Sequence, residues 1–285
     1  MELGVHLPLM EFGDEAQSLA RLTRTVDAAR ECGLAAIAAN DHFLFSTPWL
    51  DGPTALAAVL ERSGSMDLAT TISLVSLRGP VALAKTLAAL DLLSGGRVIA
   101  GVGPGSSERD YEAVGIPYED RWSRFEDAVT ELRALLGDDS PLEPRPRRPI
   151  PIWIGSWGSP AGLRRVARLA DGWLASAYNT TPEAFGAARA TLPAGHPNAL
   201  VTMWTWITED ARDAERVLRE VLAPLLKRDP DALSDQLCIG PAGRCAELLG
   251  SYAEAGCERV HLWPLGDEPH QIELAAARVL PAVNG

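Results

Sequence analysis

The 285-residue chain has few of the features that mark secreted, membrane or nucleic-acid-binding proteins. Its four cysteines form no CxxC pair and no ligand-like spacing with histidine, which favours free buried thiols over a disulfide framework or a zinc site. Only two lysines are present and the net charge is −12, so nucleic acid and anionic membranes are unfavourable partners. No apolar run approaches the roughly 18 residues that a membrane span requires.

The N-terminus lacks the basic region and cleavage site of a signal peptide, and together with the cysteine usage this leads us to expect a cytoplasmic protein. Hydrophobic residues make up 47% of the chain, which is enough for a large core. The length suits one α/β barrel, so we expect a single domain over residues 1–285.

Short apolar runs alternate with helical patterns from one end of the chain to the other. Several runs are apolar throughout, which is typical of strands that are covered on both faces. The predicted strands are Leu3–Pro8, Leu34–Ala39, Leu68–Val75, Arg97–Val102, Ile150–Gly155, Gly172–Ala177, Leu200–Ile207 and Arg259–Trp263. Eight strands with intervening helices predict an α/β fold, a (β/α)8 TIM barrel, with a doubly wound open sheet as the alternative.

Two glycine-rich segments resemble nucleotide-binding motifs without matching them. Gly79–Thr86 is close to a P-loop but has Ala84 where the second glycine belongs, and it falls inside a predicted helix. Gly101–Glu108 lies between a strand and a helix, but its glycine spacing differs from a dinucleotide fingerprint. Glycines at such a turn still allow the backbone to approach an anion at the start of a helix.

In a TIM barrel the active site lies at the carboxyl ends of the strands. These ends carry His6, then Asp41 and His42, then Ser73 to Val75, and later Tyr178 with Asn179. Two turns that each open a helix suit a phosphate held by backbone N–H groups. Their residues are Gly103, Gly105 and Ser106 in the first turn, and Trp157, Gly158 and Ser159 in the second. Trp204 and Trp263 suit a flat ring system.

Several segments, in order along nearly the whole chain, resemble the bacterial-luciferase-like superfamily. Ala39–Phe43 resembles its SDHF turn, and Leu77–Arg97 followed by Gly101-Val-Gly103 resembles its R-x-P…LD-x-LS-x-GR…G-x-G core. Glu108–Tyr111 with Arg121 and Phe125, Pro151–Gly155 with Ala170–Trp173, and Cys238–Pro241 with Tyr252 and Ala255-Gly256 resemble further segments of the family.

This resemblance implies a barrel that holds F420 or FMN against the third to fifth strands. Ser73, Leu74 and Val75 would back the ring, with a non-proline cis peptide at Ser73–Leu74. The two glycine turns would hold the phosphate and ribityl groups. Deazaflavin-dependent sugar-phosphate dehydrogenases of the superfamily carry a carboxylate where this chain has Ser106, which argues against that substrate class.

The resemblance also implies that His42, with Asp41 beside it, is catalytic. His42 could instead be a capping or core histidine, and Asp41 could only cap the loop. His6, with Trp204 and Trp263, is assigned to the substrate pocket, although His6 could be a core residue. Glu108 is expected to favour its helix N-terminus. His261 stays ambiguous, and His196 and His270 lie in polar surface contexts.

The sequence and the resemblance together predict hydride transfer between F420 and a small organic substrate. An FMN-dependent monooxygenase and a non-catalytic flavin-binding barrel are the alternatives. A metal-dependent hydrolase is disfavoured because no histidine–carboxylate ligand set occurs at the strand ends. The resemblance further suggests a homodimer.

Overall fold

The computed structural model of the protein describes residues 1–12 and 15–284. Ten strands occur in these residues: β1 Glu2–His6, β2 Ala36–Ala39, β3 Asp67–Thr70, β4 Ser73–Leu74, β5 Val98–Gly103, β6 Ile152–Gly155, β7 Gly172–Ser176, β8 Asn198–Ile207, β9 Cys238–Gly240 and β10 Arg259–Pro264. All the strand pairings are parallel, and β1 pairs with both β2 and β10. Since β10 also pairs with β8, the sheet closes into a barrel of eight strands, which confirms the predicted TIM barrel and excludes the open sheet. β4 and β9 extend the pairing of β5 and β8 outside this ring.

The helices surround the barrel. They are α1 Leu19–Glu31, α2 Gly52–Val59, α3 Val75–Arg78, α4 Pro80–Ser94, α5 Glu108–Ala113, α6 Arg121–Leu136, α7 Pro160–Leu169, α8 Pro182–Arg189, α9 Ala211–Arg216, α10 Ala223–Leu226, α11 Pro230–Gln236, α12 Ala242–Glu254, α13 Glu268–Leu274 and α14 Leu280–Asn284. A π-helical segment joins α9 to α10 over Val217–Leu222, and another joins α13 to α14 over Ala275–Val279. None of the helices in this part of the chain is long and apolar enough to cross a membrane.

Local signals explain where several helices begin and end. Ser18 accepts a hydrogen bond from the Arg21 amide at 3.1 Å and caps α1. Pro80 opens α4, and Gly95 ends it with a left-handed φ of +78°, as a C-terminal glycine cap should. The P-loop-like residues therefore lie within α4, which confirms that the resemblance to a nucleotide-binding motif is accidental.

The third predicted strand is wrong in its second half. The run Leu68–Val75 is interrupted after Thr70, resumes for two residues as β4, and gives way to α3 at Val75. The cause lies in the pairing with β5, because Ala69 is opposite Ile99 whereas Ser73 is opposite Val102. Three residues of the third strand thus face two of β5, so the chain bulges over residues 70–72.

Candidate active site

The loop after β2 carries the polar and aromatic groups at the carboxyl end of the barrel. It is tied to the loop after β1, since the Leu50 amide donates to the Leu9 carbonyl at 2.9 Å. His42 packs against the rings of Phe45 and Trp49, each with a centroid distance of 4.7 Å. The imidazole is 17% exposed, so it is held in place yet still accessible from the barrel mouth.

His42 also contacts a buried carboxylate, that of Asp110. Its Nδ1 lies 2.7 Å from Oδ2 of Asp110, whose side chain is 1% exposed. The other oxygen of Asp110 accepts from the amides of Phe43 and Leu44 at 2.9 and 2.7 Å. Burial works to raise the pKa of Asp110, but the hydrogen bonds from His42 and the two amides outweigh it, so the pKa is lowered and the group is ionised at neutral pH. The site therefore contains a fixed carboxylate–imidazole pair.

Asp41 is buried beside His42 in the sequence, but its side chain has partners of its own. Its side chain is 1% exposed and forms a two-pronged ion pair with Arg78, in which Nη2 is 2.6 Å from Oδ1. Asp41 also accepts from the Leu74 amide at 3.2 Å, and Arg78 reaches Asp51 as well. Burial works to lower the pKa of Arg78, but the contacts with the two carboxylates raise it. This geometry suits a residue that joins the His42 loop to the bulge, rather than one that exchanges protons with a substrate.

The bulge after β3 projects into the barrel. The non-proline cis peptide lies at Thr71–Ile72, so the expectation of Ser73–Leu74 is wrong by two residues. The physical reason is the register of β3 and β4 against β5, which places the extra residue of the bulge before Ser73. A Cβ on Gly103 or Gly155 would lie 3.0 and 2.9 Å from the Ile72 side chain, so these glycines make room for it.

The residues predicted to back the ring divide into two kinds. The side chains of Leu74 and Val75 are buried in the core, and Leu74 packs with Leu77 and Tyr111. Ser73 is also buried, but its hydroxyl has no hydrogen-bond partner among the described residues. Ile72 is half-buried and Ser73 has an unpartnered hydroxyl, whereas Leu74 and Val75 are packed in the core.

Both glycine turns have the backbone shape that was expected. Gly105 has a φ of +80° and Gly158 a φ of +87°, which is the left-handed region that glycine adopts most readily. Ser106 is exposed, and its carbonyl accepts from the hydroxyl of Tyr118 at 3.2 Å. In the second turn, Ser159 caps α7 by accepting from the Gly162 amide at 3.2 Å, while Trp157 is 54% exposed.

The three side chains assigned to the substrate pocket form one stack. The Trp263 ring lies between His6 at 4.2 Å and Trp204 at 4.1 Å. The ring of Trp49 meets Trp263 edge-on at 5.9 Å, and Phe12 meets Trp204 edge-on at 5.6 Å. All three members of the stack are buried, so it forms the wall behind Trp49 and Phe12 rather than the outer face of the mouth.

His6 is neutral at physiological pH because complete burial lowers its pKa to about 3. Burial also lowers the pKa of His261, which lies 6.0 Å away from His6 between ring centroids. His261 thus proves to be an interior residue of the barrel. Gly4 is required beside it, since a Cβ there would lie 2.7 Å from His261 Nδ1.

Several buried polar atoms at this end of the barrel have no hydrogen-bond partner within the described residues. They are His6 Nε2, Asn40 Oδ1, Trp49 Nε1, Ser73 Oγ, Trp204 Nε1 and His261 Nδ1. A buried polar atom without a partner costs about 1–3 kcal/mol, so such a concentration is typical of a site completed by a polar ligand or by water. The donors, the glycine turns and the aromatic walls fit a flavin-like ring with a phosphate tail. Within residues 1–12 and 15–284, no group of three or more His, Cys, Asp or Glu side chains is arranged to hold a metal ion.

The sequence interpretation missed several residues of the site. Asp110 and Arg78 lie in segments that carried the family resemblance, but their contacts with His42 and Asp41 span 68 and 37 residues of sequence. Trp49 follows His42 by seven residues in an irregular loop, where no periodicity indicates which way a side chain points. Ile72 was missed because the bulge is not visible in an apolar run. The alternating glycines at 101 and 103 are the one sequence feature that could have indicated it, because a Cβ on Gly101 would lie 1.9 Å from the Thr70 carbonyl oxygen.

Comparison with known proteins finds related sequences and structures of the same fold. Two curated relatives are named F420-dependent glucose-6-phosphate dehydrogenase. That of Amycolatopsis mediterranei is 31% identical over 170 residues, which cover 51% of this chain and 50% of the relative. That of Kribbella flavida is 29% identical over 172 residues, which cover 52% of this chain and 50% of the relative. The chain thus spans about half the length of the curated relatives it matches.

Solved structures match the chain over nearly its whole length. An F420-dependent secondary alcohol dehydrogenase in complex with an F420–acetone adduct has a TM-score of 0.83 at 17% identity, covering 99% of this chain and 98% of that one. A monooxygenase from Streptomyces bottropensis has a TM-score of 0.82 at 20% identity, covering 99% of both chains. At such identities the likeness supports the fold alone. The sequence profile of the luciferase-like monooxygenase family matches residues 1–227, and the chain therefore belongs to this family of F420- or flavin-dependent oxidoreductases.

Proposed function

We propose that the chain is an F420-dependent oxidoreductase that transfers a hydride between the deazaflavin and a small organic substrate, with His42 exchanging the accompanying proton. The observation that carries this proposal is the His42–Asp110 pair, with its 2.7 Å contact at the barrel mouth beside the unpartnered indole N–H of Trp49. A proton carrier held beside a free hydrogen-bond donor suits a substrate oxygen that changes between alcohol and carbonyl.

The cofactor would lie against the bulge at residues 70–72, with the ring near Ile72 and the unpartnered hydroxyl of Ser73. The turns at Gly103–Ser106 and Trp157–Ser159 would hold the phosphate and ribityl groups through backbone N–H groups. Bound there, the deazaflavin would supply or accept the hydride. The chain itself would orient the two reactants and keep water away from them.

The proton would travel through His42. When a carbonyl is reduced, the substrate carbon gains the hydride and its oxygen takes a proton from the imidazolium form of His42. When an alcohol is oxidised, the imidazole removes the hydroxyl proton as the hydride leaves the carbon. The indole N–H of Trp49 would donate to the same substrate oxygen.

The walls of the site favour an apolar or moderately polar alcohol or ketone. Phe45 packs against Trp49, which meets Trp263 of the stack edge-on, and Phe12 meets Trp204 of the same stack. Ser106, exposed in the first turn, stands where the sugar-phosphate dehydrogenases of this superfamily carry a carboxylate. We therefore propose a substrate other than glucose 6-phosphate, even though the two curated relatives are named as dehydrogenases of that sugar.

An FMN-dependent monooxygenase is the second candidate, because the family profile that matches the chain bears that name. His42 would then donate or accept a proton during the reaction with oxygen. The preference for F420 rests on the names of the two curated relatives. The third possibility is a barrel that binds a flavin without catalysis.

Titration of the purified protein with F420 and, separately, with FMN tests the proposal. We expect saturable binding of F420 that is tighter than that of FMN. F420 turnover should then follow with isopropanol or cyclohexanol and be absent with glucose 6-phosphate. Saturation by FMN alone, with substrate-dependent oxygen uptake, would establish the monooxygenase. Binding of either cofactor without turnover of any tested alcohol or ketone would favour the non-catalytic barrel.

A further inference from the structure

Asp110 is the group best placed to control which nitrogen of His42 carries a proton. We infer that Asp110 is a positioning residue that holds the neutral His42 ring with its hydrogen on Nδ1 and its lone pair on Nε2. This inference rests on the proposed function, in which His42 exchanges a proton with the substrate. The inference adds that the proton is exchanged through Nε2 of His42 and that Asp110 selects this nitrogen.

The tautomer follows from the bonds of the carboxylate. Asp110 is ionised and can only accept hydrogen bonds, because its pKa is lowered despite burial. Its Oδ2 lies 2.7 Å from His42 Nδ1, so Nδ1 must carry the hydrogen that is donated. In a neutral imidazole only one nitrogen is protonated, and Nε2 is then the acceptor. The rings of Phe45 and Trp49, themselves in contact, pack against the imidazole at centroid distances of 4.7 Å and restrict its rotation.

The carboxylate is itself prevented from turning. Oδ1 of Asp110 accepts from two consecutive amides, those of Phe43 and Leu44. Both amides belong to the loop that carries His42, so the same residue fixes the loop and the ring. A side chain at position 110 must therefore direct one acceptor atom towards the two amides. Only the other terminal atom of its carboxylate or amide group can then face His42.

This constraint makes Asp110→Asn an unusually specific test. The amide oxygen of the new asparagine must face the amides of Phe43 and Leu44, since its NH2 group there would oppose two donors. The NH2 group is consequently directed at His42 Nδ1 and donates to it. The substitution should move the hydrogen of His42 from Nδ1 to Nε2 with little change in shape. A wrong tautomer in a carboxylate–imidazole pair has cost about 10⁴ in rate in the serine-protease triad.

The assay is nitrogen NMR of the histidine rings in cofactor-free protein, recorded at a pH above which the His42 signals no longer change, with His42→Gln used to assign the resonance. We expect a protonated Nδ1 in the wild type and in Asp110→Glu, and a protonated Nε2 in Asp110→Asn. Glu108→Gln is the matched control, because it removes a carboxylate from the first turn of the same helix without altering the ring.

Turnover and binding complete the test. Asp110→Asn should lower kcat by about 10²–10⁴, the range for loss of a general acid or base, while the dissociation constant of F420 changes less than about threefold. Asp110→Glu should recover part of the lost kcat, and Glu108→Gln should match the wild type. The inference is overturned if wild-type His42 is protonated on Nε2, or if Asp110→Asn leaves the protonated nitrogen and kcat unchanged. Failure of the proposed function would be seen separately, as wild-type protein that binds no F420 while the NMR assignment still holds.

Discussion

Replacing Gly105 by alanine tests the first glycine turn, because this residue combines two independent constraints. Its φ is +80°, and a Cβ built on it lies 2.6 Å from Cδ2 of Leu74. Leu74 is buried and packed against Leu77 and Tyr111, so its side chain has little freedom to move away. The substitution should therefore strain the backbone and disturb the packing beneath the turn.

The magnitudes can be separated with a second glycine. A left-handed backbone costs a non-glycine residue about 1–2 kcal/mol, and overpacking of a filled core adds roughly 1–3 kcal/mol. Gly105→Ala should thus lower the free energy of unfolding by about 2–5 kcal/mol. Gly115 has a φ of +69° with no atom within 4 Å of the added Cβ, so Gly115→Ala reports the backbone cost alone.

Urea unfolding followed by circular dichroism measures both variants, and F420 titration on the same preparations measures binding. Gly105→Ala should be the less stable of the two and should bind F420 more weakly, while Gly115→Ala keeps wild-type affinity. Gly158→Ala should also weaken F420 binding. Its loss of stability should be only that of the strained backbone, since the nearest atom to the added Cβ is 3.9 Å away. Equal stability of the Gly105 and Gly115 variants would refute the packing argument. Unchanged affinity in both turn variants would mean that the phosphate lies elsewhere.

Three further predictions concern buried charges and rings. His42→Ala should lower kcat by about 10²–10⁴ and leave the dissociation constant of F420 nearly unchanged, as measured by steady-state kinetics and titration. Arg78→Ala should lower the free energy of unfolding in urea by about 3–5 kcal/mol, because it leaves the Asp41 carboxylate buried without its cation. His6→Gln should make the free energy of unfolding less sensitive to acid. The pKa of His6 is about 3 in the folded protein, below its value in the unfolded chain. The contribution of His6 to stability is therefore complete above the unfolded pKa and is lost as the pH falls below that value. For this one histidine the loss between pH 7 and pH 5 is about 2 kcal/mol, measurable by urea unfolding at the two pH values.

Each of these predictions has an outcome that would contradict it. Normal turnover in His42→Ala would remove His42 from catalysis. The double variant Arg78→Ala with Asp41→Asn should recover part of the lost stability, and no recovery would show that the ion pair is not what Arg78 contributes. An unchanged pH dependence in His6→Gln would mean that His6 is hydrated in the folded protein. Some acid sensitivity should persist in that variant, because the pKa of His261 is lowered as well.

The predicted homodimer can be tested by light scattering of the purified protein over a range of concentrations. A mass near twice the 30.5 kDa of the chain is expected. A mass equal to one chain at every concentration would contradict the expectation and would leave the proposed chemistry intact, because it rests on residues of one chain.

Local patterns were sufficient wherever a residue's environment depends on its near neighbours in sequence. The strands were found because parallel barrel strands are covered on both faces and read as apolar runs. Gly105 and Gly158 were identified at turns, and their positive φ values agree with that interpretation. The position of His42 at a strand end was predictable for the same reason, since the carboxyl ends of the strands meet at one face of the barrel.

The partners of the site residues depended on the closed barrel. Asp110 contacts His42 across 68 residues, and neither sequence segment contains a pattern that specifies the other. The bulge at residues 70–72 arises from a mismatch of one residue between β3–β4 and β5, which appears only when the strands are paired.

The sequence by itself therefore determined the alternation of strands and helices, the glycine turns and the candidate residues at the strand ends, because these follow from periodicity, φ preferences and chain order. Only the tertiary structure decided that Asp41 is paired with Arg78, that His6 is buried within an aromatic stack, and that Asp110 faces His42. Hydrogen bonds and burial are properties of atoms brought together from distant segments, and their geometry exists only after the barrel has closed.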